Sequence, residues 1–408
     1  MKKITLIALF TLCAFSSCQK DLYDPEQAKK NEKFTDLVIP QNFDWSMTRE
    51  VTSQLTSTSD VEVSVYTDKT CTEGSQIAKY TVSPENNIPV IFTLPTALKD
   101  LYVKQENGQM QSVSIENNAI NMNVVPMPSA RSITTRDKNN DESEFKSGWY
   151  TVMFEDQFPQ LGDYDFNDFV ANYKYSTTYS QKNDNKHHLI KVDINFKVNA
   201  IGGMLPYYPC LRIADISAAN DTKTEITIES ETENKTVNRL YDEFDHNNKS
   251  ITLAFDNLTL KPNAQNYVNT FKDKETVKPI EISISIVFNN GKGVDQAAEK
   301  LGTLDFEIFL LKKDGVEIHK KGKTALHYTY PNSEIEGGAG NEQYCNDKNY
   351  VWMIEVPAKI SHVIEKESFL KAYPNFSKWA ISGGNDLIDW YKNNVNSEYT
   401  IDLSKYNN

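Results

Sequence analysis

The sequence predicts an all-β protein built of two β-sandwich domains with short C-terminal helices, and three observations carry that prediction. Runs with strict apolar–polar alternation recur along the 408 residues. The longest places Ile190, Val192, Ile194, Phe196 and Val198 on one face and Lys191, Asp193, Asn195 and Lys197 on the other. A period of two buries one face and wets the other, which fits antiparallel better than parallel sheets. Polar turn clusters punctuate these runs, the spacing expected of a sandwich. Helix signals are confined to the C-terminal end.

The first residues, "MKKITLIALFTLCAFSSCQKD", have the layout of an export signal over residues 1–17. Lys2 and Lys3 precede an apolar run from Ile4 to Phe15, and the small Ser16 and Ser17 follow. A bilayer span needs about 20 apolar residues, so this run is too short to be one. Because Cys18 comes next, "FSSC" resembles a bacterial lipobox, with Phe15 where Leu is usual. In such signals the chain is cut before the cysteine, which then carries lipid. "QKDLYDPE" is similar to the leader of Bacteroidota lipoproteins displayed outside the outer membrane. The resemblance implies a lipid anchor at Cys18 in the outer membrane, with the body facing the extracellular side. Residues 18–36 are polar and read as a flexible tether.

Residues 37–125 form the first unit, a small Ig-like sandwich serving as a stalk. Its strands are "VEVSVYT", "QIAKYTV", "VIFTL", "LYVKQ", "QSVSI" and "INMNV", with turns such as "TSTSD" and "SPENN" between them. Phe43 and Trp45 of "FDWSMT" are expected to pack its leading strand. Residues 126–147, rich in Pro, Ser, Asn and charge, are the linker. "DKNNDE" within it echoes a calcium loop but lacks the Gly that allows the sharp turn.

A larger, jelly-roll-like β domain fills 148–408. Further alternation marks Ile251–Phe255, Ile282–Phe288 and Leu304–Leu310. Near the end, "ESFLKAYPNFSKWAISGG" is helical in pattern, interrupted at Pro374 and stopped by Gly383 and Gly384. "NDLIDWYKNN" predicts one more short helix, capped by Asp386.

Composition excludes several function classes. The formal charge is −13, and loss of Lys2 and Lys3 with the signal takes it to −15. Nucleic-acid binding, which needs a basic footprint, is therefore not expected. Cys13 leaves with the signal and Cys18 is the acylation site. The remaining Cys71, Cys210 and Cys345 have no CxxC spacing, so buried free thiols are expected rather than a zinc ribbon or disulfide scaffold. The chain lacks HExxH, GxSxG, Walker and dinucleotide-binding patterns. His187 and His188 read as a solvated loop ahead of a strand. "GGMLPYYP" is a loop that could present Tyr207 and Tyr208 to a sugar; the tryptophans Trp352, Trp379 and Trp390 read as core.

The strongest candidate site is "FEDQFPQLGDYDFNDFV". Asp156, Asp163, Asp165, Asn167 and Asp168 supply only hard oxygen donors, a calcium-type set with no His or Cys beside it. Alternate side chains on an extended strand start about 7 Å apart, too far to share an ion bound at about 2.4 Å. A turn or bulge near Asn167 would break the strand phase and gather them. It is not an EF-hand, because Asp168 stands at the required Gly and Lys174 at the acidic twelfth position. The competing use of these residues is to cap turns and accept backbone amides. The same motif resembles the opening signature of the LruC domain of bacterial lipoproteins, and "AYPNFSKWAISGGNDLIDWY" is similar to that domain's closing segment. The resemblance spans about Gly148 to Asn408 and implies a β-rich extracytoplasmic domain without an assigned reaction.

The sequence thus points to a surface-exposed, non-catalytic binding, adhesion or structural module, with calcium as a structural cofactor and a glycan or extracellular protein as partner. The alternative is a surface carbohydrate-active hydrolase, with Glu155 or Asp156 as its first candidate acid.

Overall fold

The computed structural model describes residues 33–84, 89–126, 142–181, 187–203, 205–217, 224–230, 238–241, 244–245, 250–256, 267–296, 301–312, 314–326 and 344–406. The expected signal peptide, Cys18, most of the tether and most of the linker lie outside these residues.

The chain is all-β. Its N-terminal strands are β1 (Thr48–Ser57), β2 (Val61–Tyr66), β3 (Gln76–Val82), β4 (Val90–Pro95), β5 (Asp100–Gln105), β6 (Met110–Ser114) and β7 (Ala119–Val124). Strands β4, β1 and β7 form a three-stranded sheet in which β1 and β7 run parallel. The other four pair in the order β3-β2-β5-β6. Val51, Val63, Val65, Leu101 and Val103 from both sheets are buried in one shared core.

The next strand, β8 (Glu142–Lys146), falls within the expected linker but is a ladder element. Phe145 pairs with Ala78 of β3 on one side and with Thr177 of β10 (Phe169–Gln181) on the other. Its ring lies 5.9 Å from Tyr80, 6.5 Å from Phe92 and 5.7 Å from Tyr179. Alternation over "SEF" buries Ser143 and Phe145, a short pattern masked by the polar run before it.

Through β8 the sheet continues into β10 and β11 (His187–Ile201), with β9 (Tyr150–Phe154) also on β10. Beyond β11 lie β18 (Ile280–Val287), paired with β14 (Glu225–Ser230), and β19 (Val294–Gln296), paired with β13 (Ile216–Ser217). Strand β22 (Met353–Val356) pairs with β9. A six-stranded sheet orders β15 (Asn238–Tyr241), β17 (Ser250–Asp256), β12 (Tyr207–Ala214), β20 (Asp305–Lys312) and β21 (Glu317–Ile318), with β16 (Phe244–Asp245) on β17. Phe196 meets Phe255 at 6.3 Å and Tyr173 meets Phe306 at 5.0 Å, so the two sheets share a core.

A second core gathers the C-terminal segment. Helices Phe369–Ala372 and Phe376–Ile381 flank Pro374, and Gly383 and Gly384 take positive φ after them, as the pattern predicts. The helix expected over "NDLIDWYKNN" is instead a series of turns. Leu387 and Asn394 are left-handed there, with φ of 47° and 59°, and Asp386 N bonds back to Ser382 Oγ at 2.9 Å. This irregular path sets Trp390 among Tyr373, Phe376 and Phe369 with rings 4.9–5.8 Å away.

Residues 33–47 correct the stalk picture. Phe43 and Trp45 do not pack the leading strand of the small unit; they lie against Trp379, at 5.0 and 5.9 Å. The strap is held by Asn349 Nδ2 donating to Pro40 O and Phe43 O, by Lys321 Nζ on Phe43 O, and by Trp45 Nε1 on Asn349 O. The chain therefore enters at the large unit and only then builds the small one.

Candidate functional site

Residues 155–168 form the loop between β9 and β10, whose facing ends are Phe154 and Phe169. The phase break expected near Asn167 is made earlier. Tyr164 and Phe166 both adopt left-handed backbone, with φ of 59° and 55°. For bulky residues that conformation costs about 1–3 kcal/mol each and persists only where the surroundings enforce it. Enforcement is visible: Phe166 N donates to Glu155 Oε1 at 2.7 Å, and Asn167 N and Lys366 N donate to the two oxygens of Asp165 at 3.2 and 2.8 Å.

The fold distributes the expected ligands into two groups. Asp163 and Asp165 converge with Glu155, their carboxylate oxygens lying within 4.8 Å of one another. Asp156 and Asp168 instead face the Gly202–Gly203 turn. Asp156 N donates to Asp168 Oδ2 and Leu205 N to Asp156 Oδ2, while Gly202 N, Gly203 N and Tyr207 Oη all donate to Asp168 O. Asn167 is fully buried; its Nδ2 donates to Val363 O at 3.2 Å.

Among the described residues, three buried oxygens of the loop have no hydrogen-bond partner: Glu155 Oε2, Asn167 Oδ1 and Tyr164 Oη. For the first two, neighbouring glycines decide the space around them. Glu155 and Asn167 both have 0 % exposure. A Cβ on Gly162 would collide with that Glu155 oxygen, and one on Gly202 with that Asn167 oxygen. At Gly202 the backbone oxygen of Asn167 would also lie 2.7 Å from the Cβ, so glycine is what lets the two segments approach there.

Electrostatics decides what such a group needs. Two unit charges 4.8 Å apart repel by about 3.5 kcal/mol at an effective dielectric of about 20. Asp163 is exposed and screened by water, so the buried Glu155 and Asp165 carry most of this cost. Among the described residues no lysine or arginine pairs with Glu155, Asp163 or Asp165. Burial first, and neighbouring carboxylates second, push Glu155, Asp165 and Asp168 well above the usual carboxylate range. Asp156 is raised by burial against the opposing Leu205 amide, and Glu365 is pushed up to about 7 by burial and Asp163. The cluster needs protons or a cation, and an oxygen-only set suits a hard divalent ion.

Sequence reasoning missed two residues here. Glu155 was weighed only as a hydrolase acid, although it adjoins Asp156. Glu365 comes from a distant segment, and nothing local marks it.

The other expectations resolve individually. His187 and His188 are in β11 rather than a solvated loop; His188 is buried, with Nδ1 2.6 Å from Asp295 Oδ1. Tyr207 and Tyr208 begin β12 instead of presenting a platform, and Tyr208 is buried. Among the described residues Cys71, Cys210 and Cys345 form no disulfide, and the latter two are buried; Trp352, Trp379 and Trp390 are core.

The family model described as "Domain of unknown function (DUF4842)" matches residues 187–391, half of the chain. The chain belongs to the DUF4842 family. The matched span begins at β11, so the acidic loop precedes it, while Glu365 and the aromatic C-terminal core lie inside. No curated protein matches the DUF4842 chain. A crystal structure of a Bacteroides ovatus protein assigned as a lipoprotein is similar at a TM-score of 0.57 and 19 % identity, over 84 % of this chain and 99 % of that one. At that identity the likeness shows the fold. BcpA, the major pilin subunit of Bacillus cereus, matches at a TM-score of 0.15 and 9 % identity, over 66 % of each chain, and carries no argument. Among the described residues, no helix of the DUF4842 chain is long and apolar enough to cross a membrane.

Proposed function

We propose that this protein is a lipid-anchored module on the outer face of the outer membrane, with a non-catalytic binding or structural role and a calcium-stiffened loop. The single observation that carries the reading is the state of the acidic loop. Its three convergent carboxylates lie closer together than the about 5–10 Å separation of a glycosidase pair. Two of them are buried, and they abut an unpartnered oxygen closed over by glycine. Such an arrangement supports a structural ion site.

Glu155, Asp163 and Asp165 would hold the ion, with Asn167 and Glu365 bordering it. Calcium takes about 6–8 oxygens, and three carboxylates offer up to six. Support for the anchor comes from "FSSC" at Cys18 and from the lipoprotein assignment of the Bacteroides ovatus protein. The two motifs that resemble the LruC domain contribute to one buried core, Tyr164 and Phe166 from the first and Tyr373, Phe376 and Trp390 from the second, which supports that kinship. The partner would be a glycan or an extracellular protein.

Three measurements test this reading together. Labelled palmitate should be incorporated into the wild type and not into Cys18→Ser. Calcium should raise Tm by several degrees, and Glu155→Gln should abolish that rise. Polysaccharides should be retained without release of reducing sugar. Absence of any calcium effect on Tm contradicts the ion reading, and product release lost on substituting Glu155 would establish the hydrolase instead.

A further inference from the structure

We propose that the cation in this loop acts as a clasp for the N-terminal strap, so that calcium controls how residues 33–39 are seated on the large unit. The inference rests on the reading that the loop binds calcium.

The loop has two working sides. Asp163 and Asp165 converge on Glu155, whereas the alternate residues Tyr164 and Phe166 are buried in the C-terminal core. Phe34 of the strap stacks on Tyr164 with centroids 4.4 Å apart and planes 5° from parallel, and it meets Phe166 edge-on at 5.3 Å. Tyr164 and Phe166, whose left-handed conformation the acids hold, thus make the nearest part of the surface that receives Phe34, with Tyr350 and Phe376 behind them at 5.6 and 5.9 Å. An ion drawing Glu155, Asp163 and Asp165 together fixes Tyr164 and Phe166; removing it leaves mutually repelling acids on the same five residues.

The strap is held differently along its length. Phe34 rests on the loop directly, and Thr35 and Leu37 rest on it through Tyr350, which packs edge-on to Tyr164 at 6.0 Å and whose Oη lies 2.7 Å from Thr35 O and 2.9 Å from Leu37 O. Pro40 to Trp45 hang on Asn349, Lys321 and Trp379, none of which belongs to the loop. Loss of the cation should therefore release residues 33–39 while residues 40–47 stay seated.

Hydrogen exchange on the full chain, calcium-saturated and EDTA-treated, reads this directly. Exchange in peptides covering 33–39 should accelerate by about tenfold or more in EDTA, and exchange in 40–47 and in β10 and β11 should change by less than about twofold. Calorimetric calcium binding with unchanged exchange at 33–39 would overturn the clasp and leave the ion site standing. Uniform acceleration across the chain would also overturn it, because the ion would then stabilise the molecule globally. No heat of calcium binding would remove the site itself. Phe34→Ala gives a second check: 33–39 should exchange fast even in calcium, with binding stoichiometry unchanged.

Discussion

Tyr164 and Phe166 show how much a few residues can impose on a loop. Their left-handed backbone turns acids and aromatics to different environments within five positions, which neither a straight strand nor a helix would do. A second residue-scale device lies in the six-stranded sheet. His319 is buried between Glu307, 3.1 Å from Nδ1, and Glu317, 2.9 Å from Nε2, and stacks on Phe309 at 4.3 Å. Arg212 also reaches Glu307, at 3.0 Å. Burial alone would lower the imidazole's pKa, but hydrogen bonds to Glu307 and Glu317 overcome it and hold the pKa above the ordinary value. The sign follows from linkage: this stabilisation is complete below the unfolded pKa of about 6.5 and is lost as pH rises through the folded one. His319→Leu should cost about 3–5 kcal/mol at pH 6, because buried Glu317 loses its counter-charge and Glu307 is left with Arg212. Urea titration should show the deficit shrinking at higher pH, and a pH-independent deficit would contradict the charge assignment.

Among the elements, β8 is the one that makes a single sheet of two units. Its five residues pair with both sides, and Phe145 touches aromatic rings from each. Phe145→Ala should destabilise by about 3–5 kcal/mol through cavity formation. The N-terminal and C-terminal strands should lose exchange protection together. Protection lost on one side alone would show that β8 is only an appendage. This strand also marks where sequence legibility ends. Long alternating runs such as Ile190–Val198 and Ile282–Phe288 announced themselves because one face is wet, so the pattern is printed residue by residue. Strand β1 has the mixed polarity of "TREVTSQLTS" and follows no one-sided alternation. For β8 the pattern is too short to outweigh its polar surroundings.

At the scale of the molecule, the sequence conveyed composition and class but not which distant segments meet. Nothing in "FDWSMT" says that Trp45 will lie on Trp379, more than 300 residues away, because any large apolar ring satisfies local rules equally well. The same limit shaped the site. The oxygen-only character of Asp163, Asp165 and Asn167 was legible, since donor chemistry is written in residue type. The separation of Asp156 and Asp168 from the convergent group was not, because it depends on the Gly202–Gly203 turn coming up beneath them. Glu365 reaches the cluster only once the C-terminal core has folded. The strap and the C-terminal segment meet the loop around the acids that we propose hold a cation, whereas the Gly202–Gly203 turn meets Asp156 and Asp168 beside them. The most direct test of that cation site is anomalous diffraction from crystals of the full chain grown in calcium. The account predicts one calcium peak about 2.3–2.6 Å from oxygens of Glu155, Asp163 and Asp165; a map without a peak there, with the three carboxyls hydrogen-bonded to one another instead, would contradict it.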